Sequence, residues 1–297
     1  MSVSFYTSTK STINDITAAS QPTLHVHPFT QTTSTKLALV DFSQTATQCH
    51  KPYLVGPNLL SGVLDGAIQP GTKLVIPSSG NTASTVAFFG DQIGLPVKAF
   101  MPEGTSLAKI KRCRDLGAEV TLIAPQQGVS SLAATNNAAR VYAKDHGSDA
   151  YLIDQFGPAP YAHDIECNIG TVMRTACLKK LGRTPGAWVG GVGTGDSLMS
   201  MRRTAVVHEE QAMIVLADID NGFFASHARN IPDQGIEGLN GSFIPSAFHS
   251  GAPTKILTAS VQEAHEAQLD LKSYAGLDVG PSSGLIVSVA LKLCWEL

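Results

Sequence analysis

Residues 73–89 read Lys73-Leu74-Val75-Ile76-Pro77-Ser78-Ser79-Gly80-Asn81-Thr82-Ala83-Ser84-Thr85-Val86-Ala87-Phe88-Phe89. An apolar run leads into a turn of small polar residues, and a helix-like run follows. A strand, a turn and a helix in that order aim the backbone N–H groups of the helix N-terminus at whatever lies above the turn, which makes the turn a ready place for a carboxylate or a phosphate. Its small side chains let a ligand approach the backbone closely. Asn81 adds a side-chain amide that both donates and accepts.

The same alternation extends in both directions. Upstream, Lys36 to Phe42 reads as a strand, and Pro57 to Ile68 carries apolar residues at helical spacing before the turn Gln69-Pro70-Gly71. Downstream come a strand at Val97 to Met101, a helix from Ser106 to Leu116 with Gly117 as its C-cap, a strand at Glu119 to Ile123 and a helix from Ser130 to Asp145. The pattern then restarts with a strand at Tyr151 to Ile153 and a helix over Asp164 to Lys180. A strand at Ala187 to Gly190 runs into Gly191-Val192-Gly193-Thr194-Gly195-Asp196-Ser197, and a helix follows from Leu198 to Arg203. Ala212 to Ala217 is a further strand, Asp218 to Thr254 is loop-rich, and Val261 to Leu269 and Leu285 to Leu293 are helices. Alternating short apolar strands and helices predict an α/β fold in two lobes, with parallel or mixed twisted sheets flanked by helices. Ligands of such sheets bind beyond the carboxyl ends of the strands, so the interdomain cleft is the expected site. The first thirty-odd residues, rich in Ser and Thr, read as an extended or mobile arm.

Composition narrows the function. The chain has 297 residues, 43% hydrophobic and 15% charged, with a net charge of −3. That balance gives no electrostatic footprint for nucleic acid or an anionic membrane. No apolar stretch reaches bilayer length, and Met1 to Tyr6 lacks the basic and apolar regions of a signal peptide. Cys49, Cys113, Cys167, Cys177 and Cys294 are odd in number and widely spaced. They read as reduced thiols of a cytoplasmic protein and not as a disulfide frame or a zinc site.

The loop from Gly191 to Ser197 is a poor dinucleotide fingerprint, because that spacing needs Gly where Asp196 stands. A cup of N–H groups for one phosphate fits better, and a tight turn that binds nothing is the plain alternative. The ordered combination is more specific. Ser78-Ser79-Gly80-Asn81-Thr82, Gly191 to Gly195 and Gly280-Pro281-Ser282-Ser283-Gly284 occur with Met101-Pro102-Glu103, Leu116 to Val120 and Phe243-Ile244-Pro245. Together, from about residue 22 to the C-terminus, they resemble the cysteine synthase and cystathionine β-synthase family, the β-family of pyridoxal-phosphate enzymes of fold type II.

The resemblance implies pyridoxal 5′-phosphate as cofactor and a division into two domains. Residues 12–44 with 151–297 would form a larger, phosphate-binding domain, and 45–150 a smaller, carboxylate-binding one. It implies that Ser78, Ser79, Gly80, Asn81, Thr82 and Gln155 hold the substrate and that Asn81 also meets the cofactor's phenolic oxygen. Gly191, Gly193, Thr194, Gly195, Asp196 and Ser197 would hold the cofactor phosphate, and Ser282 the pyridine nitrogen. The family's separation, counted back from Asn81, falls on Lys51 within Cys49-His50-Lys51-Pro52-Tyr53, which makes Lys51 the implied Schiff-base lysine. A homodimer is implied as well.

An amine attacks an aldehyde only when unprotonated, so Lys51 needs a partly desolvated pocket, and the freed amine can then act as general base. A Ser facing the pyridine nitrogen leaves it largely unprotonated. The resulting weaker electron sink favours loss of a β-leaving group through an aminoacrylate. The implied reaction is β-replacement on O-acetylserine, O-phosphoserine or serine by a small nucleophile. The rivals are β-elimination or other α-carbon chemistry, and a degenerate paralogue that acts as a binding partner.

Several positions depart from the family pattern: Asp196, Asn240, Glu166-Cys167-Asn168, Pro52-Tyr53 and the end at Trp295-Glu296-Leu297. They imply an altered substrate pocket. Elsewhere, His25 and His27 alternate on one face of an extended segment, as a surface or interface pair before a metal site. His163, Asp164 and Glu166 read as a solvated helix start before an acid–base cluster. Cys49 and His50 flank Lys51, with Cys49 a small packed thiol.

Overall fold

The computed structural model describes residues 3–27, 35–156, 169–226, 236, 238–239, 244–246, 248 and 253–297. In chain order the elements are α1 (Val3–Ala19), β1 (Thr23–Val26), β2 (Ala38–Asp41), α2 (Pro52–Leu64), β3 (Lys73–Pro77), α3 (Asn81–Ile93), β4 (Val97–Pro102), α4 (Leu107–Asp115), β5 (Glu119–Ile123) and α5 (Ser131–His146). They continue as β6 (Ala150–Leu152), α6 (Ile169–Leu181), β7 (Ala187–Gly190), α7 (Asp196–Val207), β8 (Met213–Ile219), α8 (Phe223–Ser226), β9 (Lys255–Ala259), α9 (Val261–Ala275) and α10 (Pro281–Glu296). Residues divide between two compact units, one drawn mainly from 1–21 and 42–155, the other from 22–41 and 168–297.

In the first unit the strands form a four-stranded sheet in the order β5-β4-β3-β6, with every pairing parallel. Period-2 alternation of the strands sorts its side chains onto two faces. Leu74 and Ile76 of β3, with Val97, Ala99 and Met101 of β4, join a buried cluster with Leu59 and Val63 of α2 and Val86 and Phe89 of α3. Val75 and Phe100 turn the other way and pack with Ala139 of α5. Both faces are therefore covered, as a parallel sheet of near-continuous apolar strands requires.

The N-terminal segment differs from the expected mobile arm. It is helix α1, and Ile13 is 1% exposed within the same cluster as Val55, Leu59 and Phe89. Phe5, Tyr6, Thr9, Ile13, Ile16 and Thr17 recur at spacings of three and four, so a helix places them on one side. Close approach to α2 is possible because Gly56 has no side chain: a Cβ there would stand 2.6 Å from Thr17 Oγ1. Helix α2 also starts earlier than the spacing indicated. Pro52 takes the first helical position, where its missing N–H costs nothing.

In the second unit β7, β8 and β9 form a parallel sheet in that order, and β1 pairs antiparallel with β2. Val215 and Ala217 of β8 pack with Leu285, Val289 and Leu293 of α10. Strand β9, which the sequence reading did not identify, is half-buried along most of its length. Ser260 closes a capping box at the head of α9, accepting from Glu263 N–H while the Glu263 carboxylate accepts from Ser260 N–H. Among the described residues no helix is long and apolar enough to cross a membrane.

Candidate active site

In the first unit β3 ends at Pro77 and the small-residue turn follows at the carboxyl edge of the sheet. Ser78 N–H donates to Phe100 O at 3.1 Å, which fixes the turn to β4. Gly80 N–H donates to Ser78 Oγ at 3.2 Å. Gly80 occupies the N-cap of α3 in extended conformation, and no side chain caps the helix. The Gly80 carbonyl accepts from Ala83 N–H at 3.1 Å, and no side chain from that position caps the first turn of α3. Among the described residues a Cβ on Gly80 would meet nothing within 4 Å, so the space beside Gly80 is open to them. Asn81 is exposed, Ser78 and Ser79 are half-buried and Thr82 is buried. Gln155 Nε2 donates to Pro77 O at 3.0 Å, bringing its side chain to the base of the turn.

Lys51 sits at the N-cap of α2, half-buried. Its carbonyl accepts from Leu54 N–H and Val55 N–H, both at 2.9 Å, which locks the residue to the helix head. Two contacts bring the segment before it to α3. Cys49 Sγ lies 3.5 Å from Thr85 Oγ1, and Thr85 Oγ1 donates to Asn81 O at 2.7 Å. The structure thus places the Lys51 segment beside the turn that carries Asn81. Next to Lys51, the half-buried His50 imidazole stands edge-on to Phe42 at 6.2 Å. Burial, with the Lys51 cation as a lesser cause, pushes its pKa down to about 3, so the ring is neutral near pH 7.

In the second unit β7 runs into the glycine loop at the head of α7. Gly195 adopts φ 88° as N-cap of α7, a conformation that favours glycine, and no side chain caps the helix. The loop is closely covered. Added Cβ atoms would stand 2.5 Å from Leu239 Cδ2 at Gly191, 2.6 Å from Gly238 O at Gly193 and 2.8 Å from Phe248 Cβ at Gly195. A Cβ on Gly238 would in turn stand 3.6 Å from Ser282 Oγ, so Ser282, in the first turn of α10, lies beside the backbone that covers the loop. Thr194 and Asp196 are buried and Ser197 is half-buried. Asp196 begins α7, where the helix dipole favours a carboxylate. Phe248 packs its ring against Phe224 of α8 at 5.0 Å, and Asp218 Oδ2 accepts from Phe224 N–H and Ala225 N–H, both at 2.9 Å.

The expected residues form two groups, one in each unit: Lys51, Ser78 to Thr82 and Gln155; and Gly191 to Ser197 with Ser282. Thr85 and Gly238 were missed. Each is recognisable only through a tertiary contact.

The other histidine pair is not a surface pair: His27 is 2% exposed and follows the end of β1. Burial lowers its pKa against an opposing pull from Asp270. His25 Nε2 lies 3.4 Å from Asp41 Oδ2. Among the described residues no group of three or more His, Cys, Asp or Glu side chains is placed to hold a metal. His163, Asp164, Glu166, Cys167, Asn168, Asn240 and Phe243 lie outside the described residues.

The family model described as pyridoxal-phosphate dependent enzyme matches residues 23–297. The chain is 28% identical over 258 residues to an L-cysteine desulfhydrase of Mycobacterium tuberculosis, covering 84% of this chain and 68% of that protein. It is 26% identical over 230 residues to cysteine synthase B of Salmonella typhimurium, covering 77% and 70%. Its fold is similar to a crystal structure of O-ureido-L-serine synthase with a TM-score of 0.83 at 20% identity, covering 95% of this chain and 87% of that one.

Proposed function

The chain belongs to the pyridoxal-phosphate dependent enzyme family, and on that premise we propose that it carries out β-replacement on a serine-like amino acid with a leaving group on Cβ. O-acetylserine, O-phosphoserine and serine are the candidates. One observation supports this reading: the Cys49–Thr85–Asn81 contacts bring Cys49, two residues before Lys51, against the first turn of a helix that no side chain caps at its N-cap.

The residues present suit the cofactor. The glycine loop leaves no room for side chains at its closest approaches, and the uncapped head of α7 offers N–H groups to a phosphate. Gly191, Gly193, Thr194, Gly195, Asp196 and Ser197 would hold the phosphate, Ser282 the pyridine nitrogen and Lys51 Nζ the carbonyl carbon. When bound, pyridoxal phosphate supplies an electron sink at the substrate's α-carbon.

The remaining work falls to the chain. Ser78, Ser79, Gly80 and Thr82 receive the substrate carboxylate at the head of α3, and the Asn81 and Gln155 amides orient the substrate. Lys51 Nζ, once free, removes the proton from Cα. The leaving group departs from Cβ with its electron pair. A small nucleophile such as a thiol adds at Cβ, and Lys51 returns the proton to Cα.

A second reading, elimination, draws on the similarity to a desulfhydrase. The same test separates the two. Purified protein with pyridoxal phosphate, O-acetyl-L-serine and sulfide should release acetate and cysteine in equal amounts. Pyruvate and ammonia in place of cysteine, whatever nucleophile is added, assign elimination. No release from any of the three serine derivatives overturns the reading.

A cytoplasmic homodimer is part of the proposal. Among the described residues Cys49, Cys113, Cys177 and Cys294 are free thiols, which suits a reducing compartment. The homodimer rests on the family resemblance, and light scattering should give twice the chain mass of 31.2 kDa.

A further inference from the structure

We propose that Thr85 is a positioning residue that ties the Lys51 segment to the Asn81 turn, so that the two set each other's geometry. The inference rests on the functional reading above and assigns a role to Thr85, which that reading uses only as a contact.

Counting protons shows how the tie runs. A hydroxyl has one proton to donate. Thr85 directs its proton to Asn81 O at 2.7 Å, so its oxygen is left to accept, and it faces Cys49 Sγ at 3.5 Å. Thr47 Oγ1 donates to Cys49 O at 3.3 Å and accepts from Cys49 Sγ at 3.7 Å, so the one thiol proton lies between two threonine oxygens. The contacts therefore run from Cys49 through Thr85 to the carbonyl of Asn81. Ser84 Oγ also donates to that carbonyl, at 3.1 Å.

The rest of the segment is held from other sides. Arg112 Nη2 of α4 donates to Thr47 O at 2.7 Å. Thr45 Oγ1 donates to Phe42 O at 2.8 Å and is placed 3.4 Å from Cys49 O. Gln48 sits at φ 56°, an uncommon conformation for a residue with a side chain. Thr85 is 0% exposed and Cys49 7%, so no water competes for their contact. The segment leading to Lys51 is thus ordered by neighbours, and Thr85 is the neighbour that also holds Asn81.

The test compares the full-length protein with Thr85→Val, which keeps the shape and removes the hydroxyl, Thr85→Ser, which keeps the hydroxyl, and Cys49→Ala. Two readouts are followed. The rate at which apoprotein takes up pyridoxal phosphate, by visible absorbance, reports Lys51. The dissociation constant of the holoprotein for L-alanine, which has no β-leaving group, reports the Asn81 turn. Thr85→Val should worsen both about fivefold or more, the scale of one lost internal hydrogen bond. Thr85→Ser should restore both to within about twofold, and Cys49→Ala should slow cofactor uptake.

If Thr85→Val weakens L-alanine but leaves uptake at the wild-type rate, the tie is overturned and Thr85 acts on the turn alone. Unchanged values for both readouts overturn it as well. Should Thr85→Val fail to fold, Cys49→Ala decides, and wild-type uptake in that variant overturns the tie. Wild-type protein that takes up no pyridoxal phosphate overturns the functional reading instead. Amide hydrogen exchange then still decides the tie: faster exchange over residues 45–51 in Thr85→Val but not in Thr85→Ser supports it, and equal exchange in all forms overturns it.

Discussion

A Cβ on Gly193 would stand 2.6 Å from the carbonyl oxygen of Gly238. The obstacle is backbone, and Gly238 itself adopts φ 91° beside Ser282, so neither side yields easily. Gly193→Ala should displace the covering backbone and weaken pyridoxal phosphate binding at least about tenfold, roughly the 1–3 kcal/mol expected of an overpacked site. Gly191→Ala meets only the end of the Leu239 side chain and should cost less. Gly80→Ala meets no described atom within 4 Å and should leave cofactor binding unchanged. Cofactor titration of each apoprotein checks the order.

Lys51→Ala separates fold from chemistry. Lys51 contributes its backbone carbonyl to the head of α2, and alanine keeps that carbonyl. Stability should change by no more than about 0.5 kcal/mol, as for a substitution away from the core. Turnover should fall to background, and the visible band of bound cofactor should be lost. A variant that keeps the band would move the cofactor's attachment to another lysine.

Much of the sheet was legible because its strands are short apolar runs bounded by Gly and Pro. The bounds of β5 and β7 agree with the reading of Glu119 to Ile123 and Ala187 to Gly190, and β3 and β4 each extend it by one residue. Helix α1 was hidden by its Ser and Thr content, because its buried face includes Thr9 and Thr17, polar residues that composition assigns to loops. Strand β9 was hidden because it follows a loop-rich stretch and has no alternation of exposed and buried residues to mark it. The two anion turns were legible as local motifs. The contacts around them were not: Cys49 and Thr85 are separated by 36 positions and Gly193 meets Gly238 only in the folded chain.

Lys98 and Glu119 give a pH-dependent stability term away from the proposed site. Lys98 is 8% exposed, lies over the rings of Phe100 and Tyr142 and pairs with Glu119. The hydrogen bond from Lys98 is the largest cause that lowers the Glu119 pKa below its ordinary 4.5, with Lys73 adding to it. A carboxylate whose folded pKa is depressed stabilises above its unfolded pKa and loses that contribution as pH falls through the folded value. Glu119→Gln should therefore cost stability at pH 7, and the difference from wild type should shrink below about pH 4.5. Because the Glu119 side chain is 55% exposed, the cost at pH 7 should be about 1 kcal/mol. Urea unfolding at pH 7 and pH 3.5 measures it, and an equal difference at both would remove the ion pair as its cause.

His50 supplies a window of opposite chemistry. Its folded imidazole takes a proton only near pH 3, whereas the unfolded ring takes one at the ordinary 6.5. Between those values the unfolded chain binds a proton that the native state does not, so stability falls as pH drops from 6.5 toward 3. One proton gives at most about 1.4 kcal/mol per pH unit. His50→Gln abolishes the titration and keeps a polar side chain at the position. Wild type should therefore lose about 1–2 kcal/mol more than the variant between pH 6.5 and pH 5, after partial exposure is allowed for. Other titrating groups affect both proteins alike and cancel in the difference. Parallel loss in the two would show that the imidazole is protonated in the folded state. A second positive charge would then stand beside Lys51 and favour its unprotonated amine.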